Sequence, residues 1–146
     1  MLSTFRIACQ EYLIPGTEVA IDEIIVCFYS QSSNTCKMLN KLVKQGYKIF
    51  ALADNSYVWH FQLSSRQNGI AELHKVNELT PTRSIVLQIA RLLPKFPNSH
   101  YVLYLDNYFT SIPLFSMLRK ENIGAAGTTR PSGIDFPALL IVLHKN

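Results

Sequence analysis

Tyr101-Val102-Leu103-Tyr104-Leu105-Asp106 is the stretch on which the fold turns. Five apolar residues in succession read as a strand of the kind buried on both faces of a sheet, and the run stops at an acidic residue. Its flanks say how that strand is connected. Upstream, Thr80-Pro81 offers an N-cap followed by proline at the first helical position, Ile85, Ile89 and Leu92 mark an apolar face, and Pro94 ends the helix. Downstream, a second helix is expected from Ser111, with Leu114, Met117 and Leu118 turned inward and Gly124 as its stop. Residues 124–129, small and extended, read as a further strand.

The first half has a different grammar. Residues 18–29, 47–53 and 57–63 are rich in β-branched and aromatic side chains, and Asp54-Asn55-Ser56 is turn chemistry, so the last two runs form a hairpin. Ahead of them Thr4 can cap a short helix in which Phe5, Ala8, Cys9, Tyr12 and Leu13 recur at helical spacing before Pro15-Gly16 stops it. The order is helix, three strands, helix, strand, helix, strand. That predicts an α/β fold with a mixed five-stranded sheet, hairpin-connected first and crossover-connected later.

A chain of 146 residues makes one domain, and 48% hydrophobic against 16% charged residues supplies a real core rather than a disordered segment. There is no repeat, low-complexity tract or Gly/Ser linker. The longest clean apolar stretch, residues 138–143, is far short of the roughly 18 residues that cross a bilayer, and the first residues do not read as a signal peptide. An intracellular chain with no membrane span is expected. Cys9, Cys27 and Cys36 are odd in number and lack metal-ligand spacing, so they are expected as buried, inert thiols. The formal charge of +4 is unevenly spread: Ile24 to Ala53 contains no acidic residue but holds Lys37, Lys41, Lys44 and Lys48. Such a block is either a solvated face or an electrostatic footprint for phosphates.

Two aspartates stand out chemically. Asp22 interrupts the apolar run Val19-Ala20-Ile21-Asp22-Glu23-Ile24-Ile25-Val26, and strands disfavour aspartate unless something compensates for it. Strand alternation puts Asp22 and Glu23 on opposite faces, so only one of them reaches any given site. Asp106 sits where open α/β sheets place ligands, at the carboxyl end of a core strand. Together the two make a hard, oxygen-rich site suited to Mg²⁺. Taken singly, Asp106 also reads as a turn or cap residue and Asp22 as an edge-strand residue facing water. His60, His74, His100 and His144 lack ligand spacing and read as surface or satisfied core residues. No nucleophile elbow, Walker loop or dinucleotide fingerprint is present. Seven tyrosines, eight phenylalanines and one tryptophan read as core more readily than as a base-stacking platform.

Four segments in order resemble the piggyBac transposase catalytic domain. They are Tyr12-Leu13-Ile14-Pro15-Gly16-Thr17-Glu18-Val19-Ala20-Ile21-Asp22-Glu23, then Gly46-Tyr47-Lys48-Ile49-Phe50-Ala51-Leu52-Ala53-Asp54, then Tyr104-Leu105-Asp106-Asn107-Tyr108-Phe109-Thr110-Ser111, and Ala126-Gly127-Thr128-Thr129-Arg130-Pro131. The resemblance covers about residues 5 to 138. It implies a ribonuclease-H-like fold that cuts and rejoins DNA in the nucleus with three carboxylates and two Mg²⁺ or Mn²⁺ ions. Asp22 and Asp106 would be the first two catalytic, metal-binding aspartates, and Lys37, Lys41, Lys44, Lys48 and Arg130 the DNA-facing cations. The third carboxylate belongs well downstream of the last strand, where the chain has only Asp135.

Other departures follow the same line. Phe28-Tyr29-Ser30-Gln31 replaces the family's Phe-x-Gly-Arg, and Asn40-Lys41-Leu42 replaces Asn-Lys-Pro. These features divide the chain into an opening helix (1–16), a C-terminally truncated ribonuclease-H-like core (17–138) and a divergent tail (139–146). The leading expectation is a remnant of a cut-and-paste transposase, inactive alone, that binds DNA weakly and without sequence preference and can associate with itself or with a fuller transposase chain. A host-retained non-catalytic DNA-binding or protein-interaction module is the alternative, and an unrelated metal-dependent phosphohydrolase is the third.

Overall fold

The computed structural model describes residues 2–30, 32, 34–37, 45–64, 76–97 and 99–130. Among these residues nine elements follow in order: α1 (Leu2–Tyr12), β1 (Glu18–Cys27), β2 (Cys36–Lys37), β3 (Gln45–Asp54), β4 (Tyr57–Leu63), α2 (Pro81–Ala90), β5 (Tyr101–Leu105), α3 (Ile112–Lys120) and β6 (Ile123–Gly127). The strands form one mixed sheet in the order β2-β3-β1-β5-β6, with β4 also paired to β3. β1 and β4 run antiparallel to β3, whereas β5 runs parallel to both β1 and β6. Among the described residues this ribonuclease-H-like sheet has six strands instead of the expected five. The addition is β2, two residues held against Gln45 and Gly46, too short to leave a periodic signal.

Both crossover helices form as their caps predict. Thr80 Oγ1 accepts the Arg83 N–H at 3.4 Å, and Ser111 Oγ accepts the Leu114 N–H at 3.3 Å. Their ends differ from expectation. α2 stops at Ala90, so Leu92 lies past it, 48% exposed, and Leu93 takes the core position. α3 closes at Asn122, whose φ of 62° provides the left-handed turn, and Gly124 sits inside β6.

α1 lies against β4 with Ala8, Cys9 and Leu13 of the expected apolar stripe half-buried, but Phe5 and Tyr12 are exposed and the polar Arg6 and Gln10 are half-buried beside them. Hydrogen bonds explain the shift: Tyr57 Oη donates to the Cys9 carbonyl at 2.8 Å, and Trp59 Nε1 donates to the Leu13 carbonyl at 3.0 Å. Gln10 Nε2 meets His60 Nδ1 at 3.2 Å, and Arg6 lies over the Phe61 ring.

The core forms on the sheet face that carries Val19, Ile21, Phe50, Leu52 and Leu103, with the buried residues of α2 and α3 packed over it. The other face is open along β1 and β5 and covered at β4, where Phe5 and Arg6 of α1 lie against Phe61. Along β1, Glu18, Ala20, Asp22, Ile24 and Val26 are all exposed, and on β5 Tyr104 is 44% exposed. The run Tyr101 to Leu105 is therefore buried on one face, in alternation, and not on both. Five apolar residues in a row register strand character but carry no record of what covers the second face. Nor are the cysteines uniformly buried: Cys36 is buried, Cys9 half-buried and Cys27 exposed. His60 is the buried histidine among those described, and its polar contact is Gln10.

Candidate functional site

β1 lies between β3 and β5, so Asp22 is on a central strand and not at an edge. In the parallel pairing of β1 with β5, Ala20 faces Tyr104 and Ile21 faces Leu105. One step further along both chains come Asp22 and Asp106. Neighbouring strands are about 4.8 Å apart, and equal register places the two carboxylates on the same face. Both line an open cleft of about 520 Å³ together with Ala20, Tyr104, Gly127 and Thr128. Asp22 Oδ1 accepts the Glu23 N–H at 2.7 Å, and Asp106 Oδ1 accepts the Tyr108 N–H at 2.5 Å. Each carboxylate is thus held through one oxygen, while neither Oδ2 has a partner among the described residues.

The loop that carries Asp106 is built to stay in place. The Asp106 carbonyl accepts the Phe109 and Thr110 N–H groups at 3.2 and 3.1 Å and the Thr110 hydroxyl at 2.8 Å. Phe109 is fully buried, edge-on to Phe50, and Arg83 Nη2 on α2 donates to the Thr110 carbonyl at 3.0 Å. Gly127 completes the seat: a Cβ there would collide with Thr110 Oγ1 and lie 3.1 Å from the Leu105 carbonyl. Asp106 is therefore a turn residue and a cleft residue at once, and the two readings of it do not compete.

Alternation sends Glu23 to the opposite face, where its Oε2 lies 2.5 Å from Lys48 Nζ. Lys48 is mostly buried, with 19% of its side chain exposed. Of the other expected DNA-facing cations, Lys37 is exposed on β2 and Arg130 is exposed three residues after β6. Lys41 and Lys44 lie outside the described residues, as do His74, His144, Asp135 and the tail 139–146. Among the described residues no group of three or more His, Cys, Asp or Glu side chains converges. Two exposed carboxylates with an oxygen each left open fit a single Mg²⁺ or Mn²⁺, since Mg²⁺ keeps several waters and takes one or two carboxylates.

Sequence reasoning missed the roles of Glu23, Tyr108, Thr110 and Gly127. Only Gly127 left a signal, as a glycine at the end of a strand, where close backbone approach is a common cause.

Comparison with known proteins agrees with this fold. The family model described as "Transposase IS4" matches residues 1–145. Two curated human proteins, "PiggyBac transposable element-derived protein 3" and "Chimeric ERCC6-PGBD3 protein", are each 26% identical over 136 residues, 92% of this chain. The chain spans 22% of the first and 12% of the second. Among solved structures, a cryo-EM structure of the piggyBac transposase synaptic complex with hairpin DNA matches with a TM-score of 0.80 at 24% identity, over 95% of this chain and 28% of that one. With a family match along nearly its whole length and the fold of a piggyBac transposase, the chain belongs to the Transposase IS4 family as a piggyBac transposase-like domain.

Proposed function

We propose that the chain is a remnant of the catalytic core of a cut-and-paste DNA transposase, which holds a divalent cation and DNA weakly in the nucleus but does not cut strands alone. The observation that carries this reading is the shared register of Asp22 and Asp106 at one cleft. Two divalent cations bound in such a centre activate the attacking oxygen and stabilise the leaving one. What this chain's residues contribute is the seat for one cation: Asp22 and Asp106 present their outer oxygens, and the Glu23 and Tyr108 N–H groups fix the carboxylate planes. Phosphoryl transfer depends almost wholly on positioning and charge stabilisation, and among the described residues only these two carboxylates supply them at the cleft.

Purified chain incubated with labelled duplex DNA and Mg²⁺ or Mn²⁺ is expected to leave the strands intact. Metal-dependent nicking that vanishes in Asp106→Ala would overturn the assignment of inactivity. The open apolar sheet face with Ile24, Val26 and Tyr104 favours a second reading, a host-retained module that engages another protein or a longer transposase chain. Sedimentation of the chain alone and mixed with a full-length relative separates these: a complex in which DNA retention is unchanged supports the module.

A further inference from the structure

Lys48 occupies a position that its place in a basic block does not explain. Its ammonium is 2.5 Å from Glu23 Oε2 on β1, 5.0 Å from the centre of the Tyr108 ring and 5.1 Å from that of Phe50. Glu23 and Tyr108 are the two residues whose backbone N–H groups are gripped by the carboxylates of Asp22 and Asp106. One side chain rooted on β3 thus touches, from beneath the sheet, the residue that orients each aspartate above it. The register accounts for the reach: Ile25 faces Lys48 and Glu23 faces Phe50, so Lys48 and Glu23 are diagonal neighbours on the core face. Phe109, packed on Phe50 and edge-on to Tyr108, brings the Asp106 loop over the same spot.

We propose that Lys48 is a positioning residue that clamps the Asp22 and Asp106 segments at fixed separation, through Glu23 on one side and the Tyr108 ring on the other. It acts on the cation site without touching the cation. The chain of contacts runs Asp22 carboxylate, Glu23 backbone, Glu23 carboxylate, Lys48 ammonium, Tyr108 ring, Tyr108 backbone, Asp106 carboxylate. Charge alone argues for the opposite effect. A cation on the far face of the same strands repels a metal bound at the cleft, so deleting it should tighten metal binding if Lys48 were merely a nearby charge. Loss of a clamp loosens it, because partners beyond the ligands set ligand orientation and their removal costs about 10- to 100-fold in metal affinity. The sign of the change therefore separates the two.

This proposal rests on reading Asp22 and Asp106 as a cation pair, and the experiment keeps the two apart. Mn²⁺ affinity, read by electron paramagnetic resonance of the free ion, is compared for the unaltered chain, Asp22→Asn/Asp106→Asn, Lys48→Met, Lys48→Arg and the surface control Lys95→Met. Amide hydrogen exchange at Glu23 and Tyr108 is measured on the same samples, with circular dichroism to confirm the fold. The clamp predicts Mn²⁺ binding about tenfold weaker in Lys48→Met, substantial recovery in Lys48→Arg, no change in Lys95→Met, and faster exchange at both amides. Unchanged or tighter Mn²⁺ binding in a folded Lys48→Met overturns it. If the unaltered chain has no Mn²⁺ site that depends on the aspartates, the cation reading fails, and exchange alone decides the clamp: acceleration at both amides supports it, and protection equal to the unaltered chain refutes it. Should Lys48→Met not fold, Glu23→Gln applies the same test from the other end of the ion pair.

Discussion

Acid should weaken this fold through His60 before it touches the carboxylates. The ring is 6% exposed between α1 and β4, and its pKa is lowered from 6.5 to about 4, first by burial and then by the positive charge of Arg6. With Nδ1 against the Gln10 amide, the neutral ring is the form the folded chain accommodates. Because the unfolded chain takes up the proton first, His60 contributes its full stability above pH 6.5 and loses it as pH falls toward 4. The whole difference corresponds to at most about 3.4 kcal/mol, and between pH 7.5 and 5.0 the unscreened loss is about 2 kcal/mol. Solvent at this peripheral helix lowers that to about 1 to 2 kcal/mol. Urea unfolding of the unaltered chain should accordingly shift its midpoint down by about 0.5 to 1 M between those pH values, at an m-value of about 2 kcal/mol/M. His60→Gln, which cannot titrate, should show little of that shift. Glu121, whose carboxyl is held low by Arg91 and then Lys95, acts in a more acidic window below its ordinary 4.5 and leaves this comparison intact. Equal losses in the unaltered chain and in His60→Gln would refute the argument.

Truncating Phe109 to alanine removes a fully buried ring from under the Asp106 loop and should cost about 3 to 5 kcal/mol by thermal or urea unfolding. Gly127→Ala drives a methyl into Thr110 Oγ1 and should destabilise by about 1 to 3 kcal/mol, and pairing it with Thr110→Ala should restore part of that loss in a double-mutant cycle. Glu121→Gln, which breaks exposed pairs to Arg91 and Lys95, should change stability by under about 1 kcal/mol at neutral pH, with no difference from the unaltered chain once acid has protonated Glu121. Replacing Lys37, Lys41 and Lys44 with glutamate should abolish low-salt retention on duplex DNA, which in the unaltered chain should fall steeply as salt rises; retention equal to the unaltered chain would remove that stretch as the contact.

Much of the strand layout was legible because strands and their turns are written locally: β1, β3 and β4 lie within two residues of the runs expected for them, and Thr80 and Ser111 cap the helices they announce. The misplacements share one cause, dependence on partners distant in sequence. α1 half-buries Gln10 and leaves Tyr12 exposed because Tyr57, Trp59 and His60, some 46 to 50 residues away, supply its hydrogen bonds. β5 read as doubly buried because hydrophobicity reports what a segment can bury and not what arrives to cover it. At the site, Asp22 and Asp106 stood out because each carboxylate sits in or at the end of an apolar strand run, and the pairing of β1 with β5 put them in step. Lys48 read as one of four like charges, since its partner Glu23 lies outside the acid-free stretch and meets it only through strand register.

The adjacency of Asp22 and Glu23 has a genetic consequence. A strand presents alternate residues to alternate faces, so losing one codon between the start of β1 and Asp22 would turn the whole strand over and ordinarily erase whatever its cleft face displayed. Here the slip would bring Glu23 up to the cleft post that Asp22 held, while Asp22 would move to the Ile21 post opposite Leu52 and Ile24 to the post beside Lys48. The acidic character of the cleft face at that step is thus encoded twice in consecutive triplets. The same slip would put the Asp22 carboxylate at the Ile21 post, which is 1% exposed and opposite Leu52, so the cleft would keep its acid at the expense of an unpaired charge in the core.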